Sequence, residues 1–120
     1  MTRNPKLDRD KRLLGESIEH WLRMRVAKPN DESEGPYSDD CPLCLQYRRY
    51  TEYAIVCGGC PIAVASGNED CKDTPYIAAY HAWRNRGPRR GTPSWRSWAR
   101  ASQKMIDYLK QLLAELEART

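Results

Sequence analysis

All five cysteines of this 120-residue chain fall in one window, in the pattern Cys41-Pro-Leu-Cys44, twelve residues, Cys57-Gly-Gly-Cys60-Pro, ten residues, Cys71. Two Cys-x-x-Cys pairs joined by a hairpin-length spacer are what a structural zinc site needs. Thiolates at i and i+3 on a tight turn reach one tetrahedral ion, and a second pair completes its shell. Gly58 and Gly59 suit a knuckle turn that requires positive φ. The expected ligands are Cys41, Cys44, Cys57 and Cys60. Cys71 is the alternative to one of them, the displaced thiol then packing as a small hydrophobe. His20 and His81 stand alone and read as core-edge or surface histidines of helices. Iron–sulfur binding and unmetallated buried thiols use the same residues. Redox chemistry would need each pair to open a helix after a strand, a context neither pair has in the sequence.

The window matters because the chain is poor in aliphatic side chains. Leu, Ile and Val together number 18, and Phe is absent. Seven Tyr and four Trp supply bulk instead, and the net charge is only +4. Such a composition predicts one folded domain over 1–120 whose core needs a clip. Residues 41–71 are the expected zinc-binding subdomain, and 29–40 an acidic linker. No apolar run is long enough for a membrane span. Met1–Arg12 is polar, which argues against a signal peptide. With an odd cysteine count, a reducing, cytoplasmic setting is expected.

Apolar periodicity marks three helices. Leu7–Ala27 carries a stripe of Leu14, Ile18, Trp21 and Leu22. Thr74–Pro75 is a cap and first helical residue, with Ile77, Tyr80 and Trp83 or Arg84 on one face as far as Gly87–Pro88. From about Ser94 to Ala118, residues Trp95, Trp98, Ser102, Met105, Leu109, Leu112 and Leu116 alternate spacings of three and four. That seam predicts packing against the first helix; a homodimer through residues 95–116 is the alternative, and the monomer is favoured. Between the helices, 46–49 and 52–56 read as two strands, and Ile62–Ala65 as one helical turn at most. The expected fold is therefore α+β and predominantly helical, a three-helix core with an inserted zinc-ribbon-like two-stranded hairpin.

Charge is segregated. Residues 1–28 carry +4, 29–73 carry −6 and 74–120 carry +6. Positions 74–106 contain no acid but hold Arg84, Arg86, Arg89, Arg90, Arg96, Arg100 and Lys104. Arg96, Arg100 and Lys104 recur every four residues along one helical face. Arginine suits bidentate phosphate contact, so this set is the candidate nucleic-acid or partner-binding surface. The same residue types also anchor protein interfaces. The nearby tryptophans fall on the apolar seam and read better as core than as base-stacking platforms. A closed four-thiolate shell leaves no open metal position, and no general base or nucleophile triad is evident. The chain is expected not to be an enzyme.

The cysteine pattern, together with His20–Trp21 and the Thr-Pro-Tyr at 74–76, resembles small, mostly uncharacterised proteins encoded by bacteriophages and prophages. The likeness spans about residues 18–83. It implies a phage origin, a place in the host cytoplasm, and a role in infection or lysogeny. The expected function is a non-enzymatic, zinc-stabilised nucleic-acid-binding protein that contacts DNA or RNA. The alternative is an inhibitor or adaptor of a host protein complex, such as a defence system or polymerase.

Overall fold

The computed structural model describes residues 4–28, 33–37, 40–50, 55–56, 59–66 and 74–119. Five helices dominate them: α1 (Pro5–Val26), α2 (Pro42–Tyr47), α3 (Pro61–Ser66), α4 (Pro75–Arg84) and α5 (Pro93–Glu117). Each opens on a proline, whose fixed φ suits the first turn and whose missing N–H would have no partner there. Capping side chains take up the free amides behind them. Asn4 accepts from Leu7 N, Cys41 from Cys44 N, Thr74 from Tyr76 N and Thr92 from Trp95 N.

α5 is the strut of the molecule. α1 packs along one side of it and α4 along another, while α2 lies on α1 and α3 on α5. The seam expected from the sequence is the buried face: Trp95, Trp98, Ser102, Met105, Leu109 and Leu112 are buried, with Ile106 added to them. They meet Leu13, Leu14, Ile18, Trp21 and Met24 of α1 and Ala79 and Trp83 of α4. Trp21 lies against Trp98, with centroids 6.1 Å apart, and edge-on to Tyr76 at 6.3 Å. Fully burying a Leu, Ile or Met is worth about 1.5–3 kcal/mol each. The seam is thus covered within the chain, by α1 and α4. Two details shift: on α1 Leu22 is exposed while Leu13 is buried, and on α4 Ala79 joins the expected Trp83 on the inner face, leaving Ile77 exposed.

The expected α+β fold is corrected to a helical one. Among its described residues the cysteine window builds no zinc-ribbon hairpin. Its two Cys-Pro steps start helices, α2 at Pro42 and α3 at Pro61. Between them the one described strand pairing is two residues long on each side: β1 (Arg49–Tyr50) runs antiparallel to β2 (Ile55–Val56). So short a pairing makes no sheet layer. The expected strand at 46–49 fails because Leu43 and Tyr47, one helical turn apart, are both buried. That spacing puts them on one helical face, packed toward α1.

The described part of the acidic stretch is held against the helices. Pro36 is buried and its carbonyl accepts from the Tyr76 hydroxyl. Tyr37 stacks edge-on against Trp83 at 5.4 Å and Tyr80 at 6.1 Å. Gly35 lies so close that a Cβ there would sit 2.6 Å from the Tyr37 ring and 3.3 Å from Trp83.

Candidate functional site

The seven cations proposed from the sequence divide into two groups. Arg86 is buried, with its guanidinium 4.2 Å from the Trp83 ring centroid and 5.8 Å from that of Trp95. Its Nη1 donates to the Trp83 carbonyl at 2.8 Å, which secures the end of α4. Arg90 donates to the carbonyls of Val26 and Ala27 at 2.9 and 2.7 Å, so it caps the C-terminus of α1 from the distant loop. Terminal carbonyls with no helical partner are natural acceptors for such a cation. Both residues are therefore framework.

Arg84, Arg89, Arg96, Arg100 and Lys104 are exposed. Among the described residues no carboxylate lies within ion-pair distance of any of them. Arg96 donates to the Gly91 carbonyl at 3.0 Å and Arg100 to Ser97 Oγ at 3.4 Å. Each keeps further N–H donors, since a guanidinium has five. Arg100 and Lys104 border a shallow groove of about 400 Å³ between α4 and α5, whose floor includes Pro75, Ala78, Ala82 and Ala101. The acidic stretch does not neutralise this face with its described carboxylates. Glu34 turns to α1, where Arg23 Nε reaches it at 2.6 Å and His20 Nδ1 at 2.5 Å. The Arg23 hydrogen bond, seconded by His20, holds the Glu34 carboxyl below its ordinary value.

Trp83, Trp95 and Trp98 are buried, as their seam positions predicted, and Trp21 is buried with them. No indole face is free to stack on a base or to anchor in a partner's pocket.

Three of the five cysteines, Cys41, Cys44 and Cys60, lie among the described residues. Cys41 and Cys44 share the first turn of α2 and are half-buried, while Cys60 is buried where α3 begins. Cys57 and Cys71 lie outside the described residues. Among the described residues no three His, Cys, Asp or Glu side chains are gathered to hold a metal ion. The Cys44 amide donates to Cys41 Sγ at 3.4 Å. Hydrogen bonding from the Cys44 thiol outweighs burial and brings the Cys41 thiol from 9.0 down to about 7. Cys41 and Cys44 line a small cavity of about 20 Å³, along with His20 and Ser17. Ser17 Oγ is buried and meets no hydrogen-bond partner among the described residues. His81 is exposed on α4.

One cluster escaped the sequence reading. Asp10 is buried on α1, accepts from the Tyr47 hydroxyl of α2, and pairs with Lys6 Nζ at 2.6 Å. Lys6 also donates to the Gly59 carbonyl at 3.0 Å. Gly59 adopts φ 84°, a conformation that favours glycine. The knot thus ties α1 to both α2 and the turn before α3. An acid among cations on a helix looks like a surface residue until its partner 37 positions on is known.

Comparison with protein-family models, curated proteins and solved structures returns no match for this chain. The resemblance to phage proteins bearing two knuckles is corrected with the fold, because Cys41–Cys44 opens a helix rather than a ribbon knuckle. The zinc-stabilised nucleic-acid-binding function, its adaptor alternative on the same scaffold, and the zinc-ribbon description lose their structural basis for the same reason. Among the described residues no helix is long and apolar enough to cross a membrane.

Proposed function

We propose that the chain is a non-catalytic, cytoplasmic polyanion-binding module, and that it tracks nucleic-acid phosphates along the α4–α5 face without reading bases. The observation that carries this reading is the set of five exposed cations, Arg84, Arg89, Arg96, Arg100 and Lys104, in a stretch free of acids. Arg96 to Lys104 covers about 12 Å of helix axis, enough to meet successive phosphates of one strand. The surface rests on the packing of α4 against α5.

The burial of all four tryptophans favours phosphate over a protein partner. Protein interfaces concentrate their energy in aromatic and arginine anchors seated in pockets. Of the arginines over aromatic rings, Arg86 is turned inward on Trp83, Arg90 caps α1 beside Trp95, and Arg84 covers the half-buried Tyr80 of its own helix. What faces outward is charge around a floor of small side chains. Such a surface gives affinity that depends on salt and little on sequence.

The test is binding to a mixed-sequence duplex titrated with salt. Each neutralised phosphate contributes about 0.9 to the slope of log K against log salt. The triple variant R96A/R100A/K104A should lower that slope by about 3, equally for unrelated sequences. Absence of duplex and single-strand binding at low salt would sink the proposal.

A further inference from the structure

Cys41 and Cys44 stand three residues apart across the first turn of α2, with Cys41 as the cap. Residues at that spacing face each other on a helix. The contact from the Cys44 amide to Cys41 Sγ, at 3.4 Å, places the first sulfur over the turn that carries the second. Both side chains are half-buried, so they are reachable, whereas Cys60 is only 3% exposed. An independent feature marks the same place. The small cavity that Cys41 and Cys44 line is also lined by Ser17, which is 2% exposed and whose Oγ has no partner among the described residues. His20 borders it too, its Nδ1 fixed by Glu34 at 2.5 Å. The pair opens a helix, which the sequence did not disclose, although no strand precedes α2 among the described residues.

From this geometry we infer that Cys41 and Cys44 are a redox-active dithiol that undergoes thiol–disulfide exchange with low-molecular-weight disulfides. The thiolate of Cys41 attacks one sulfur of the disulfide RSSR. A Cys41–SR bond forms, the S–S bond breaks and RS⁻ leaves. Cys44 loses its proton, and its thiolate attacks Cys41 Sγ. The Cys41–Cys44 bond forms as the second RS⁻ departs. Two electrons pass from the dithiol to RSSR, and the two thiol protons end on two RSH. Cys41 is the nucleophile, and Cys44 resolves.

The experiment uses the full, reduced chain in glutathione buffers of graded oxidised-to-reduced ratio. Each sample is quenched by alkylation and mapped by peptide mass spectrometry. The expected result is progressive loss of both alkyl adducts from the peptide holding Cys41 and Cys44, with loss of two hydrogens, before Cys60 changes. Cys44→Ser should trap one glutathione on Cys41. Elemental analysis is run on the same preparation. The inference is overturned if both thiols alkylate fully at every ratio. Pairing of Cys41 with another cysteine, or zinc on these thiols that blocks oxidation until chelated, overturns it equally. The principal readout uses the unaltered chain, so it does not depend on a variant folding.

Discussion

Arg86 and Arg96 are the same residue type ten positions apart in one basic stretch, yet the fold assigns them opposite tasks. Arg86 gives its charge to two indole faces and a carbonyl in the interior. Removing it leaves Trp83 and Trp95 without the group between them. A desolvated cation–π contact is worth about 2 kcal/mol, so Arg86→Ala should lower stability by about that amount. Arg86→Lys should fall short of full rescue, because an ammonium does not stack flat on a ring. Denaturant midpoints check both, and duplex affinity measured on the folded variants should change little. Nothing at position 86 in the sequence distinguishes it from 84 or 96. The difference arises from where Gly87, with φ 71°, turns the chain back so that Trp95 Nε1 reaches the Gly87 carbonyl at 2.8 Å.

Glu34 gives the residue scale a pH signature. Its carboxyl is held below its ordinary value of about 4.5, chiefly by the Arg23 hydrogen bond and then by His20. A carboxyl depressed in the folded state stabilises fully above its unfolded pKa, and that contribution fades as pH falls through the folded value. Stability should therefore drop below about pH 4.5 in the parent. Glu34→Gln should be less stable near neutrality and flatter across that acidic range. Urea unfolding at stepped pH reads both slopes; parallel profiles for the two proteins would remove Glu34 from the account.

At the scale of elements, the sequence disclosed most of what local chemistry controls. α1, α4 and α5 were legible because each has an apolar period long enough to count, and α4 also because of its Thr-Pro start. α2 was missed as a helix and α3 was read as one turn at most, although Cys41-Pro42 and Cys60-Pro61 carry the same cap-then-proline signal as Thr74-Pro75. Six residues are too few to show a period, and the spacing of the cysteines pointed to a ribbon instead. What holds α2 in place was beyond local reading altogether, since Asp10 and Tyr47 meet only through the tertiary fold. Replacing Asp10 by Asn should keep the size of the side chain but lose the charge that Lys6 pairs with. Hydrogen bonds to charged groups contribute about 1.5–3 kcal/mol, so a loss of that order is expected. Hydrogen exchange should show it locally: amides of α2 and of residues 59–66 exchange faster, while α4 and the middle of α5 keep their protection.

The whole molecule behaves differently, because α5 is the surface against which α1, α3 and α4 all pack. The candidate sites sit on opposite consequences of that arrangement. Arg96, Arg100 and Lys104 use the outer face of α5, which no other described element covers. The dithiol sits on α2, which reaches the rest of the structure through α1. Disturbing the inner face of α5 should therefore disturb everything at once. Leu109 is fully buried there, and its neighbours Met105, Ile106 and Trp98 are nearly so. Leu109→Ala removes buried volume that close-packed neighbours cannot fully reclaim, at a cost of about 2–5 kcal/mol. Against a domain stability of roughly 5–15 kcal/mol, that is a large share. The expected outcome is one cooperative transition at a markedly lower midpoint, with amide protection lowered together in α1, α4 and α5. By contrast, R96A/R100A/K104A should unfold close to the parent midpoint, since exposed side chains away from packing shift stability by about 0.5 kcal/mol or less each. If the triple variant unfolded as early as Leu109→Ala, the outer cations would be part of the framework. Their loss of duplex binding would then report unfolding rather than a lost contact. A normal midpoint combined with a reduced salt slope separates the two, and assigns the inner face of α5 to the fold and the outer face to the partner.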